Sequence, residues 1–310
     1  MTVITADRPV RRRRRGIRRF LFEMRKEWSA YAFLTPAFIL LGIFTLFAVG
    51  FSLYLSFHRW DVLNPAKPYV GLDNYRQLRN DGYFKQAVHN TAIFTVFVVP
   101  LSVGLGLGIA LLLNRQIHGR AIFRTLFYLP VVTPLVVSGL IWKWVLDGDF
   151  GLLNYYISKI GISPQLWLSN PDLAMPSVIV MSTWATVGFT MLVYLAGLQA
   201  IPQEYYEAAA VDGAGAVRQF RHVTLPLLAP TTFFVFVYLI ISTFQVFDQI
   251  FVMTNGGPLR ATTTVVYYIW QAGFINFTMG YASAMAYALF AIIFVFTIIQ
   301  VVIYNRRADY

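Results

Sequence analysis

Residues 31–57 read YAFLTPAFILLGIFTLFAVGFSLYLSF, a run of 27 residues without Asp, Glu, Lys or Arg. An α-helix rises 1.5 Å per residue, so about 20 apolar residues cross a hydrocarbon core of about 30 Å. The run can therefore span a bilayer, with some tilt or with a bend near Pro36. It indicates an integral membrane protein.

Five further segments are long and apolar enough to span, and they lie at about 90–113, 122–146, 175–198, 230–253 and 281–304. Only 13% of the residues are charged and 57% are apolar, whereas soluble domains average about 25% charged residues. The sequence therefore predicts an all-α membrane protein with six transmembrane helices.

The distribution of Lys and Arg predicts the orientation. With the N-terminus inside, the cytoplasmic segments hold 17 of these residues and the external loops hold seven, as the positive-inside rule requires. We predict cytoplasmic termini, a basic tail at 1–30 and a transmembrane domain at 31–310. The run Arg11 to Arg15 could be a nucleic-acid arm, but its place before a span favours contact with the lipid bilayer and no nucleic acid.

Several functions are excluded or left unsupported by residue type. The chain has no Cys, and its four His are scattered without ligand spacing, so no metal site is expected. No Gly-x-x-x-x-Gly-Lys-Ser/Thr phosphate loop occurs, so ATP hydrolysis by that route is not expected of this chain. Gly104 and Gly108 suit close packing against another helix.

The longest predicted cytoplasmic connection is 199–229. We expect an Ala-rich helix at 204–210, because Pro202 can begin it and Ala has the highest helix propensity. Gly213 and Gly215 then break it, and a second short helix follows at about 216–222. Two short helices with small residues at the bend could form a rigid docking knob or an ordinary surface loop, and the residues alone leave both possible.

The pattern Glu207-Ala-Ala-x-x-Asp212-Gly213-Ala214, followed by Phe220, Val223, Leu225-Pro226 and Pro230, resembles the EAA loop of ABC-importer permeases. The resemblance implies the type I importer permease fold, with 199–229 as a coupling loop seated on a separate ATPase. It implies docking roles for Glu207, Ala208, Ala209, Asp212, Gly213, Ala214, Phe220, Leu225 and Pro226.

Three external stretches narrow the resemblance. Val70-Gly-Leu-Asp-Asn-Tyr75, Thr254-Asn-Gly-Gly-Pro258 and Met279-Gly-Tyr-Ala-Ser283 resemble the maltose-permease first-subunit type of the carbohydrate-uptake family. This resemblance implies a non-catalytic subunit of a di- or oligosaccharide importer in the inner membrane. Its partners would be a second homologous permease, an ATPase dimer that holds ATP and Mg, and an extracytoplasmic sugar-binding protein.

The substrate path is expected on two helix faces. Ser182, Thr186 and Phe189 share a face of the fourth span, because residues at i, i+4 and i+7 align. Leu239, Ser242, Thr243 and Val246 do the same in the fifth, where Gln245 and Asp248 are further polar candidates. The resemblance places both faces at the central cavity, although Ser and Thr often only join helices and Asp248 could be solvated near the membrane surface.

Two other functions stay open. A permease of the same class could carry a non-sugar or phosphorylated polyol such as glycerol phosphate, although no Arg lies in the middle of a predicted span to pair a phosphate. A secondary transporter working alone would need inverted repeats and usually mid-membrane charges, and the sequence shows neither.

Overall fold

The computed structural model describes residues 28–115 and 118–308, and every regular element among them is helical. The predicted basic tail at 1–30 lies outside the described residues apart from its last three positions. The chain divides into two compact units, Met1–Tyr54 and Leu55–Tyr310. The second unit contains all the predicted site residues.

Helix α1 covers the predicted first span in three consecutive segments, Trp28–Leu41, Gly42–Phe47 and Ala48–Ser56. Pro36 lies inside the first of them, and the middle segment is π-helical. A π-helical turn accommodates one extra residue per turn and marks an irregular point in an otherwise α-helical span.

Helix α2 is Asp73–Asn80, and α3 is Gly82–Asn114. Helix α3 contains the predicted second span at about 90–113 and begins eight residues before it, because Asp81 caps the helix. Its carboxylate accepts the backbone N–H groups of Tyr83 and Phe84 at 2.8 and 3.2 Å, two donors that the first turn leaves unpaired.

The predicted third span at 122–146 is not one continuous helix. It consists of α4, Arg120–Val132, and α5, Leu135–Val145, which meet at 99°. The residue before a proline avoids the α-helical region, and Thr133 accordingly has an extended backbone ahead of Pro134. Helix α6, Leu152–Lys159, follows before the next span.

Helix α7, Pro171–Gln199, is continuous and contains the predicted fourth span. It leads into the two helices of the long loop, α8 (Gln203–Val211) and α9 (Ala216–Leu227). Within α9, Phe220–Thr224 is π-helical. The final long helix, α13, is Met279–Ala308 and contains the predicted sixth span.

The predicted fifth span at 230–253 is also wrong as a single helix. Helix α10, Ala229–Phe244, is bent by 63° from α9 and ends before a non-helical break at 245–247. Helix α11, Asp248–Met253, and α12, Val265–Ile275, follow the break. The hydroxyl of Thr264 donates to the carbonyl of Val246 at 3.0 Å, which satisfies a backbone acceptor that the broken helix leaves free.

The described residues therefore hold four continuous helices long enough to cross a membrane, α1, α3, α7 and α13. Up to six spans result if each bent pair counts as one. This agrees with a polytopic membrane protein, while the predicted count of six and the orientation of the termini stay predictions.

Helices α3 and α7 form the centre of the second unit. A Cβ on Gly106 would lie 2.2 Å from the Thr190 hydroxyl oxygen, whereas Gly104 and Gly108 have nothing within 4 Å of that position. The close packing predicted for Gly104 and Gly108 therefore belongs to Gly106 in this unit. Sequence spacing identified the helix but not the face that meets α7.

Candidate docking loop and substrate path

The turn after α8 has the geometry of a Schellman cap. The N–H of Gly213 donates to the carbonyl of Ala210 at 3.0 Å, and the N–H of Ala214 donates to Ala209 at 2.9 Å. Gly213 has φ +76°, a left-handed conformation that glycine adopts without a steric penalty. The bend between the two loop helices is therefore set by hydrogen bonds and by one glycine.

Side chains hold the two loop helices together. The hydroxyls of Tyr206 and Thr224 lie 3.1 Å apart, and the Gln219 amide donates to the carbonyl of Ala214 at 3.0 Å. Thr224 is buried. Below these contacts, a cavity of about 590 Å³ separates the loop from the end of α3, and its lining includes Leu111 and Phe220. The loop is a structured element on the unit and not an extended strand of chain.

The predicted docking residues divide by exposure. Glu207, Ala208, Asp212, Gly213, Leu225 and Pro226 are exposed, while Ala209, Ala214 and Phe220 are half-buried. The loop therefore presents part of the predicted set outward and uses the rest for its own packing.

Two exposed apolar residues of the loop were not among the predicted docking residues. Val211 is 88% exposed and Val217 is 81% exposed, one at the end of α8 and the other near the start of α9. Bare apolar side chains on either side of a rigid turn are typical of a contact surface. Their position next to Gly213 and Gly215 was the signal that could have found them.

The path candidates on α7 are largely used for packing. Ser182 is buried, and its hydroxyl has no partner among the described residues. The Thr186 hydroxyl lies 2.9 Å from the Ser102 hydroxyl on α3 and donates to the Ser182 carbonyl at 2.8 Å. Thr186 thus joins α7 to α3. The sequence had left open whether it lines the substrate path or joins helices.

Phe189 is the α7 candidate that reaches α10. It is half-buried, and its ring centroid lies 4.4 Å from that of Tyr238 with a tilt of 36°. Tyr238 was missed, although it lies four residues before Ser242 and so extends the predicted α10 face by one turn. The structure therefore joins the predicted face of α7 to α10 through an aromatic pair whose second member, Tyr238, was not predicted.

The α10 candidates do not form the single face expected of them. Ser242 is exposed, and Thr243 is buried with its hydroxyl on the Leu239 carbonyl at 2.8 Å. Val246 and the exposed Gln245 lie beyond the end of α10, so helical spacing no longer applies to them. Asp248 is half-buried at the first residue of α11.

A family model described as binding-protein-dependent transport system inner membrane component matches residues 99–309. This is more than half of the 310 residues, and it includes α7, the long loop and α10. The chain belongs to this family. The apolar helices and the membership together place the permease in the inner membrane as a multi-pass protein.

Similar proteins are transport components and not enzymes. The permease is 34% identical to the trehalose/maltose transport system permease protein MalF of Thermococcus litoralis, over 92% of this chain and 96% of that protein. It is 32% identical to the sn-glycerol-3-phosphate transport system permease protein UgpA of Yersinia pestis, with the same two coverages.

A solved structure shares the fold. A chain from a bacterial alginate ABC transporter, in complex with an alginate pentasaccharide-bound periplasmic protein, matches the permease with a TM-score of 0.80. The match covers 91% of this chain and 96% of that chain at 24% identity. The likeness shows a shared overall fold, in agreement with the predicted importer permease fold.

Proposed function

We propose that this permease is the membrane subunit of an ATP-driven ABC importer for a di- or oligosaccharide. In this proposal it forms half of the translocation path beside a second homologous permease. It docks onto a dimer of separate ATPase subunits through the loop 199–229 and receives its cargo from an extracytoplasmic sugar-binding protein. ATP and Mg are held by the ATPase subunits and not by this chain.

The observation that carries the proposal is the structured loop with its exposed apolar tip. Val211 and Val217 stand on either side of a turn that Gly213 and the Gln219 amide hold in place. Glu207 and Asp212 are exposed on the same segment. An apolar centre with charged groups around it is the usual composition of a protein interface, and coupling needs a docking element with defined shape.

The aromatic pair of Phe189 and Tyr238 supports a saccharide as cargo. Aromatic rings bind the apolar face of a pyranose by stacking, while hydroxyls such as that of the exposed Ser242 can bond to sugar hydroxyls. Relatives and structural neighbours that are named for trehalose, maltose and alginate agree with this cargo class.

A phosphorylated polyol is the second candidate because one relative is named for sn-glycerol 3-phosphate. The sequences of α7 and α10 contain no Lys or Arg. A phosphate in the proposed path would therefore lack the cationic partner that it prefers, and we favour the saccharide.

The test is transport by the assembled complex in proteoliposomes, with trehalose, maltose and sn-glycerol 3-phosphate as probes. We expect accumulation of a saccharide that requires both ATP and the binding protein. Uptake of glycerol phosphate alone would contradict the cargo, and uptake without the ATPase subunits would contradict the whole assignment.

A further inference from the structure

Two arginines at one end of α4 share a single neutral acceptor. With the Gln199 amide turned so that its oxygen faces them, that oxygen accepts from Arg120 Nη2 at 2.6 Å and from Arg124 Nη2 at 2.9 Å. The Nε atoms of both arginines are buried and have no partner among the described residues. Two guanidinium groups therefore converge on one point with donors to spare.

No carboxylate neutralises this pair within the described residues. The ion pair formed there joins Arg76 to Asp73, on α2, and involves neither Arg120 nor Arg124. Two like charges beside each other repel, and Gln199 offers a dipole but no charge. The pair lacks a counter-anion, and the chemistry that suits two guanidinium forks best is a phosphate.

The position of the pair favours a lipid over a protein as the source of that phosphate. Arg120 is the first residue of α4, Arg124 lies one turn further, and Gln199 is the last residue of α7. All three thus lie near the ends of candidate spans, where lipid headgroups are expected, while the proposed docking loop extends beyond Gln199. The predicted cytoplasmic side is also the leaflet that carries anionic lipid.

The same face of α4 continues into apolar surface. Phe123 lies three residues after Arg120, and Phe127 three residues after Arg124, so each follows its arginine along one face of the helix. They are 45% and 37% exposed. An acyl chain can pack on these rings while the phosphate remains at the arginines.

We propose that Arg120, Arg124 and Gln199 form a binding site for the phosphate of an anionic phospholipid, between the ends of α4 and α7. The site adjoins the proposed docking loop at its first residue, Gln199, and contains no residue of the proposed substrate path. It would anchor the first residue of the long loop to the membrane surface and to the bent third span.

The test uses the assembled transporter in detergent and measures its thermal unfolding midpoint with added dioleoylphosphatidylglycerol. We expect a rise of about 2–4 °C, the shift that a ligand at about four times its Kd gives in a domain of about 150–250 residues, and no such rise with dioleoylphosphatidylcholine. The double variant Arg120→Gln/Arg124→Gln should lose the response. The matched control Arg76→Gln/Arg79→Gln removes the same charge from α2 and should keep it.

Gln199→Glu provides a second variant that does not depend on removing the arginines. The new carboxylate supplies the missing anion between the two guanidinium groups, so the folded protein should be at least as stable as the wild type and insensitive to phosphatidylglycerol.

Three results would overturn the proposal. The first is an equal lipid response in the Arg120→Gln/Arg124→Gln variant. The second is an equal rise with inorganic phosphate alone, which would make the ligand a free anion. The third is loss of the ATPase subunits from the Arg120→Gln/Arg124→Gln variant without any lipid response in the wild type, which would assign the arginines to a protein carboxylate.

Discussion

At the scale of single residues, Gly213 forms the left-handed turn of the proposed docking loop. A side chain at φ +76° costs about 1–2 kcal/mol, and the cost falls on the turn that positions Val211. We predict that Gly213→Ser weakens binding of the ATPase subunit about five- to thirtyfold, measured by titration of the ATPase against the purified permease.

Gly215→Ser is the matched control for that variant. Gly215 has an ordinary φ of −68°, nothing lies within 4 Å of its potential Cβ, and it is the N-cap of α9, where Ser is favoured. The two variants should therefore differ. Equal binding by both would show that the left-handed turn has no role in docking.

Asp81 is a second residue whose environment makes a testable difference. Burial raises the pKa of Asp81, but hydrogen bonds to its carboxylate together lower the pKa by more, so it lies below its usual 3.8. The donors are the hydroxyls of Tyr281 and Tyr268 and the backbone N–H groups of Phe84 and Tyr83. The Tyr268 hydroxyl donates to the carboxylate at 2.8 Å. This carboxylate therefore ties the start of α3 to α12 and α13.

We predict that Asp81→Asn lowers the free energy of unfolding by about 1.5–3 kcal/mol at neutral pH, the cost of losing hydrogen bonds to a charge. Because the folded-state pKa is depressed, the carboxylate stabilises the protein above pH 3.8, and this contribution is lost as pH falls through the depressed value. The variant should show a weaker loss of stability in that acid range.

Asp73→Asn is the control for Asp81→Asn. Its carboxylate pairs with Arg76 at 2.9 Å on the surface of α2, and exposed pairs contribute little. Thermal or denaturant unfolding across pH should leave Asp73→Asn close to the wild type. A similar loss of unfolding free energy in both variants would mean that the hydrogen bonds around Asp81 stabilise the protein no more than an exposed ion pair does.

At the scale of elements, the contact between α3 and α7 depends on Gly106. A Cβ there would lie 2.2 Å from the Thr190 hydroxyl oxygen and 3.1 Å from the Met191 backbone N, so the helices must separate. We predict that Gly106→Ala lowers the free energy of unfolding by about 1–3 kcal/mol. Gly104→Ala, on an open face of the same helix, should not, and unfolding of the two purified variants compares them directly.

The contact between α7 and α10 offers a functional prediction at the same scale. Removing the Phe189 ring takes away its contact with Tyr238 at 4.4 Å and one wall of the proposed sugar path. We predict that Phe189→Ala lowers ATP-driven saccharide uptake at least tenfold, while the ATPase subunits still copurify. Phe290→Ala, on an exposed position of α13, is the control, and equal uptake by both variants would remove Phe189 from the path.

At the scale of the whole molecule, the class was predictable and the breaks were not. The spans could be located by the length of segments without charged residues, because a bilayer core excludes unpaired polar groups. Pro134 was visible in the sequence, but spans tolerate proline, so its presence did not require a bend of 99°. The break at 245–247 has neither proline nor glycine, and its Val246 carbonyl accepts a hydrogen bond from Thr264, 18 residues later in the chain.

The candidate site was predictable to a similar degree. The loop pattern around Glu207 predicted a docking segment, and docking itself stays a prediction. Which of its side chains are exposed depends on how α8 and α9 fold together. That is why Val211 and Val217 were missed while the half-buried Phe220 was included. On α10, Val246 was assigned to a helical face that ends at Phe244, because helical spacing was extended through a break that only tertiary contacts reveal.

Binding of a separate ATPase by this loop is best tested at Val211. Val211→Asp places a charge at a tip that is 88% exposed in the permease, so the fold should tolerate it while an apolar interface should not. The measurement is the Kd of the purified permease for its ATPase subunit, with Val62→Asp as the control at an exposed valine of the predicted external side. We predict a Kd at least tenfold higher for Val211→Asp, about 1.4 kcal/mol of binding free energy, and no change for Val62→Asp. Equal affinity of the Val211→Asp variant and the wild type would contradict it.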